Sequence, residues 1–251
     1  MKPLPLAAQL YTVRDECARD FEGTLRAVAK MGYRAVEFAG LYGMQPHDLR
    51  KLIAEIGLQA VSAHFRIDRL ETQLDAVIQE SHVLGIPLVA CPVLAEHLRA
   101  DANGWRTIAG TLDAIGAKLR QRGLQLCYHN HDFEFARFEG KSGLEWLYDS
   151  SSSNVHAELD VFWVKQGGDD PVHWIQRLPG RCSALHLKDM APDGSFIELG
   201  KGTIDFPGVL RAAEKSGTIA YIVEQDTCAR PPLDSLAISL EYMRKIAPSL
   251  A

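Results

Sequence analysis

The chain has 251 residues, 47% of them hydrophobic and 24% charged, with a formal net charge of -5. That is an ordinary globular composition, long enough for one large domain, and its acidic balance argues against an electrostatic grip on nucleic acid. With no apolar run of about 18 residues and an N-terminus (MKPLPLAAQLYTVRDE) lacking any long apolar segment, neither a membrane span nor a signal peptide is read, and a cytoplasmic protein is expected.

In chain order, short apolar runs alternate with longer segments of helical period. Leu6 to Tyr11 reads as the first strand and Phe21 to Met31 as the first helix. Then come Ala35 to Phe38 with His47 to Ile56, Gln59 to His64 with Leu70 to Leu84, and Pro87 to Pro92 with Trp105 to Arg122. The second half pairs Leu124 to His131 with Leu144 to Asp149, Val155 to Val161 with Pro171 to Leu178, Ser183 to Lys188 with Pro207 to Ser216, and Ile219 to Glu224 with Leu233 to Ile246. Eight strands, each followed by a helix at a spacing of roughly 30 residues, predict a single (β/α)8 barrel domain spanning 1–251.

Gly32, Gly57, Gly85, Gly123 and Gly217 follow helices, where a left-handed cap is expected. A doubly wound sheet shares the alternation, but its dinucleotide-binding form carries GxGxxG after the first strand, and none is present. The five cysteines, Cys17, Cys91, Cys127, Cys182 and Cys228, are widely spaced with no CxxC pair. Reduced thiols fit that pattern, those in strand-like runs serving as small core residues.

Chemistry concentrates at the ends of the last four strands. LCYHNHDFEF, HAELDVFWV, SALHLKD and AYIVEQD carry His131, Asp160, His186 and Glu224, separated by 29, 26 and 38 residues. Side chains two apart share a face, so His129 joins His131, Glu158 joins Asp160, Lys188 joins His186 and Asp226 joins Glu224. The alternate positions are apolar, which puts the polar faces inside the barrel at its C-terminal mouth, where barrel enzymes place their sites.

A lone strand-end His is ordinarily a hydrogen-bonded core residue, but four coincident strand ends are a different matter. Buried charges without partners are costly, and a divalent cation resolves that cost. Asp160, His186 and Glu224, completed by His129 or His131, form a mixed N/O set suited to Mn²⁺, Co²⁺, Zn²⁺ or Fe²⁺, with Mg²⁺ a further candidate and Ca²⁺ disfavoured.

The first half adds Gln9 and Tyr11 on strand one, Glu37 on strand two and His64 on strand three. With Arg14 and Trp163 these are candidate substrate contacts, Trp163 as an apolar wall for a sugar ring. GKGT (Gly200 to Thr203) lacks the spacing of a phosphate loop and reads as a turn.

At these residues the chain resembles the xylose isomerase-like barrel superfamily, in particular its sugar phosphate isomerase/epimerase and inosose dehydratase-like members. The resemblance spans essentially the whole chain, from QLYTVRD and VEFAG through YHNHDFEF, ELDVFWV, LHLKD and LGKGTIDF to IVEQD. It implies one divalent metal ion held by the side chains ending strands five to eight, a small sugar or polyol as substrate, and association into a homo-oligomer. Members that isomerise ketoses carry a Glu followed by Asn on strand five and use it with the strand-eight Glu as an acid/base pair. This chain has His129-Asn130-His131 there, so a two-glutamate mechanism does not transfer directly.

The reaction expected is proton transfer beside a carbonyl polarised by the cation, giving isomerisation or epimerisation of a keto sugar or sugar phosphate. Glu224 is the first candidate base, with His129, His131, Glu158 and Lys188 competing for the partner role. The alternative is a dehydratase or lyase acting on an inosose or a 3-keto-glycoside, where a β-leaving group departs. A metal-dependent endonuclease on the same barrel would want a basic face, which an acidic chain lacks. A non-catalytic sugar-binding barrel would bind no metal.

Overall fold

The computed structural model of the chain describes residues 4–250. Its frame is a closed barrel of β1 (Ala7–Gln9), β2 (Ala35–Phe38), β3 (Gln59–His64), β4 (Leu88–Cys91), β5 (Gln125–His129), β6 (Val155–Asp160), β7 (Cys182–Leu187) and β8 (Ala220–Val223). Neighbours pair in sequence order and in parallel, and β1 closes the ring by pairing with β2 on one side and β8 on the other. Parallel strands need crossover connections, and helices supply them. This is the (β/α)8 barrel expected from the alternation.

The covering helices are α1 (Arg14–Arg19), α2 (Phe21–Met31), α3 (Pro46–Glu55), α4 (Ile67–Thr72), α5 (Leu74–Leu84), α6 (Ala102–Gln121), α7 (Gly143–Asp149), α8 (Val161–Gln166), α9 (Pro171–Arg177), α10 (Phe206–Ser216) and α11 (Pro232–Ile246). Among the described residues no helix is long and apolar enough to cross a membrane. The outer layer of the core forms between these helices and the outward strand positions, with Val36, Phe38, Leu126, Tyr128, Leu159, Leu185 and Leu187 buried there. A separate apolar plug of Ala7, Ala35, Val61, Leu88, Ala90, Cys127, Ala184 and Ile222 fills the barrel below the polar residues.

Four details depart from the sequence reading. The first strand stops at Gln9, because Leu10–Val13 winds into a 3-10 turn whose Tyr11 amide donates to the Gln9 side chain. Tyr11 therefore leaves the strand face and stands 43% exposed at the mouth. The expected helix Leu70 to Leu84 is two helices, broken at Gln73. Val161, read as the end of a strand, begins α8, since the Asp160 carboxylate caps that helix through the amides of Phe162 and Trp163.

The five glycines after helices all have positive φ, as expected. At Gly217 (φ 82) the amide closes the last turn of α10 on the carbonyls of Ala213 and Glu214, a conformation any side chain would strain. All five cysteines are free thiols, four of them buried. Burial pushes the Cys91 and Cys182 thiols up to about 12, as befits inert core residues.

Two irregularities bear on function. The β2/β3 register shifts between Val36 and Glu37, and the β6/β7 register between Ala157 and Glu158. Each shift falls immediately before a buried carboxylate that points into the barrel, as bulges beside functional sites commonly do.

Candidate metal centre

Above the apolar plug the barrel interior turns polar. Glu37, Glu158, Asp160 and His186 are all fully buried, with His129, Lys188 and Glu224 nearly so. Two sets of donor atoms here are compact enough to hold a cation: His129, Asp160, His186 and Glu224 in an outer set, and His64, His129, Glu158 and His186 in a deeper one. His129 belongs to both and His131 to neither.

The outer set is built by its strands. Asp160 ends β6, and its Oδ1 is committed to capping α8 at 2.9 and 3.0 Å, which leaves Oδ2 facing the interior and the Lys188 ammonium. Its backbone amide is held by Asn130 Oδ1 at 3.0 Å, tying the end of β6 to the residue between the two histidines. His186 on β7 places Nδ1 2.6 Å from Glu224 Oε2, and His129 Nε2 lies 4.0 Å from Asp160 Oδ2.

Lys188 completes the rim, its Nζ 3.1 Å from Asp160 Oδ2, 2.9 Å from Glu224 Oε2 and 2.6 Å from Asp226 Oδ1. Asp226 thus enters the site as the ammonium's shortest partner. Its place on the Glu224 face was visible from parity.

Charge states follow from these neighbours. Burial pushes the Asp160 carboxyl up to about 6 despite Lys188. Burial also opposes ionisation of Glu224, but Lys188 and His186 outweigh it and hold its carboxyl well below the usual range. For His129, burial and the neighbouring cations keep the ring neutral, and burial lowers His131 to about 4. Burial works against charge on His64 too, yet Glu37 and Glu158 push it up to about 10. His186 is likewise raised against burial by Glu37, Glu158 and Glu224.

A metal fits this donor set. Buried carboxylate and imidazole atoms converge, and among them His129 Nδ1 has no hydrogen-bond partner among the described residues, a costly condition for a buried polar atom. Mixed N/O donors of this kind suit a borderline divalent ion. Glu224 and His129 also line a cavity of about 470 Å³ that opens at the mouth, with His131, Lys188, Asp226, His64 and Tyr11 around it. That size accommodates a small substrate.

The remaining sequence candidates take distinct places. Gln9 donates to Glu37 Oε1 at 2.6 Å while its own oxygen holds the Tyr11 amide, so both ends are engaged beneath the cavity. Arg14 spends Nη1 on the carbonyls of Tyr11 and Asp226, bracing the turn after β1 against the end of β8. His131 stacks on Phe133 with ring centroids 5.2 Å apart and lies 5.6 Å from Trp163, whose buried Nε1 has no partner among the described residues.

Arg66 and Val93 line the cavity as well, on loops after β3 and β4 that carried no pattern in the sequence, together with Pro92, which was read as the end of a strand and lies just past β4. Lys201 and its glycines do not: the amides of Gly200 and Gly202 are both taken by Asp189 Oδ2, as a structural turn requires.

Known proteins place this site in context. An inosose dehydratase of Geobacillus kaustophilus is 23% identical over 270 residues, covering 90% of this chain and 87% of that protein. A sugar phosphate isomerase/epimerase from Parabacteroides distasonis superposes with a TM-score of 0.85 at 21% identity, over 98% of this chain and 100% of that one. The IOLI protein, solved with a bound zinc atom, gives a TM-score of 0.77 at 14% identity over 99% of each chain. At these identities the solved structures share the fold. The match to the family description itself extends over residues 25–246, and on that ground the chain belongs to the xylose isomerase-like TIM barrel family.

Proposed function

We propose that the chain is a divalent-metal-dependent isomerase or epimerase that removes a proton beside the carbonyl of a keto sugar or sugar phosphate. One observation carries this reading: Glu224 belongs at once to the outer donor set and to the cavity wall. A cation held by Asp160, His186 and Glu224 with His129 would supply Lewis-acid polarisation of the substrate's oxygen, worth several kcal/mol. The zinc-bearing neighbour supports a metal of this class, drawn from manganese, cobalt, zinc, iron or magnesium.

The chain's own groups do the rest. Glu224 is kept ionised by Lys188 and His186, so it is available as a base at neutral pH. Lys188 keeps its ammonium and donates to oxygen on the cavity side, where negative charge develops. Trp163, His131 and Phe133 form an aromatic flank against which a sugar ring can lie. Glu158 is buried against His64 and His186 and does not line the cavity, which removes it from the acid/base roles.

A dehydratase or lyase reading is favoured by a separate observation. The cavity wall carries imidazoles of His129 and His131 where a second carboxylate would serve an epimerase, and the curated relatives over 90% of the chain are inosose dehydratases. A departing hydroxyl needs a proton, which the Lys188 ammonium on the cavity wall is placed to give. Product mass separates the two: metal-loaded protein should convert a ketose to an isomer of unchanged mass, whereas loss of water or a glycosyl group establishes the lyase. Recovery of every ketose and inosose unchanged would overturn both.

A further inference from the structure

The deeper donor set is a second chamber with its own walls. Glu158 Oε1 faces three imidazole nitrogens from three strands, His64 Nε2 at 2.9 Å, His186 Nε2 at 3.2 Å and His129 Nδ1 at 3.6 Å. Donors arranged tetrahedrally at 2.1 Å around a metal stand about 3.4 Å apart, so these separations bracket the edge of such a site. Glu37 closes the far side, its Oε1 2.5 Å from His64 Nε2 and its Oε2 3.3 Å from His186 Nε2.

Supporting hydrogen bonds fix the carboxylates. Ser62 Oγ holds Glu158 Oε2 at 3.3 Å and Gln9 holds Glu37 at 2.6 Å, the kind of outer support that orients metal ligands. Below lies the apolar plug, and above, His64 and His129 open onto the cavity, which gives an ion its route in. One buried atom singles the chamber out: His129 Nδ1, on a residue 2% exposed, is aimed at Glu158 and has no hydrogen-bond partner among the described residues.

Ring chemistry divides the shared histidines between the chambers. A neutral imidazole offers one lone pair. His186 turns Nδ1 to Glu224 and His129 turns Nδ1 to Glu158, so with both ions bound the outer one keeps Asp160, His186 and Glu224 while His129 turns to the deeper one. Charge agrees with that division. Glu37 and Glu158 leave the deep chamber two negative charges, and Asp160, Glu224 and Asp226 against Lys188 leave the outer one two more. A divalent cation in each brings both to neutrality with all the imidazoles uncharged.

We propose that the chain holds a second divalent cation beneath the outer one, on His64 Nε2, His129 Nδ1 and Glu158, with the Glu37 carboxylate beside it. Its nitrogen-richer donors favour zinc or cobalt over magnesium, and its charge fixes His129 and Glu158 under the substrate. The alternative occupant is protons on His64 and His186.

The test is metal counting on the whole chain. Metal-free protein titrated with Co²⁺ at neutral pH, followed by visible absorption and elemental analysis, should take up two equivalents. Glu158→Gln and His64→Asn should each bind one, and Asp160→Asn should also bind one, by loss of the other site. Anomalous diffraction from Co²⁺-loaded crystals of the unaltered chain should show two peaks, with no reliance on a variant folding. One equivalent abolished by Asp160→Asn but kept in Glu158→Gln and His64→Asn, or a single peak on Asp160 and Glu224, overturns the deep site and leaves the outer one standing. One equivalent with the opposite dependence upholds the deep site and removes the outer.

Discussion

His186 Nδ1 lies 2.6 Å from Glu224 Oε2, which joins the candidate metal ligand on β7 and the candidate base at the end of β8 into one hydrogen-bonded unit. Neutralising Glu224 should therefore separate chemistry from metal binding. Glu224→Gln keeps an oxygen donor but removes the base, and general-base catalysis is typically worth 10²–10⁴-fold. We expect kcat to fall by roughly that factor while elemental analysis still finds bound metal. Full activity would remove Glu224 from the base role.

Asp160 has two tasks that different substitutions divide. Asparagine can still cap α8 through Oδ1, so Asp160→Asn should keep the helix cap that Asp160→Ala loses. Mn²⁺ affinity, read by calorimetric titration, should drop beyond the roughly 10–100-fold that loss of a mere supporting partner costs. Asp160→Ala should lose metal affinity and also about 1 kcal/mol of stability from the missing cap. Unchanged affinity in both variants would exclude Asp160 as a ligand.

Glu134 governs the loop that carries His131. It is fully buried, and accepts from Tyr128 Oη at 2.6 Å and from the His131 amide at 2.8 Å. Burial pushes its carboxyl up to about 7 from an ordinary 4.5. Between those values the native chain holds a proton that the unfolded chain has released, so this contribution to stability is whole below pH 4.5 and is lost as pH rises to about 7. The loss amounts to about 3 kcal/mol. Urea unfolding of chelated protein from pH 4.5 to 8 should show the native chain losing that much relative to Glu134→Gln; parallel curves would contradict it.

Asp189 is the anchor of the 198–204 loop. Its carboxylate accepts from the amides of Met190, Gly200, Gly202 and Ile204 at 2.8 to 3.2 Å. Removing a charged acceptor leaves buried donors unpaired, so Asp189→Ala should cost on the order of 3 kcal/mol in urea unfolding. Lys201→Ala should cost almost nothing. The reverse order would return the GKGT segment to a ligand-binding role.

Barrel architecture was legible because two periodicities alternate cleanly, and parity placed the interior residues of β5 to β8 because a strand allows two faces only. Parity lost Tyr11 because Gln9 captures the Tyr11 amide and turns the chain one residue early. The histidine pair at 129 and 131 was unresolved for a related reason: β5 ends at His129, so the alternation that aligned them stops between the two. His129 stays in the barrel while His131 is carried to the aromatic flank by Phe133 and the Glu134 anchor. Arg66 and Val93 reach the cavity through loop conformation, which leaves no periodic trace.

Metal-dependent exchange of the substrate's α-proton reaches the central claim most directly. Mn²⁺- or Co²⁺-loaded protein incubated in D₂O with keto sugars and inososes should exchange the hydrogen beside the carbonyl, as followed by proton NMR. Chelated protein and Glu224→Gln should not exchange it. Exchange that persists equally after chelation, or a metal-loaded protein that leaves every such hydrogen in place, would contradict the account.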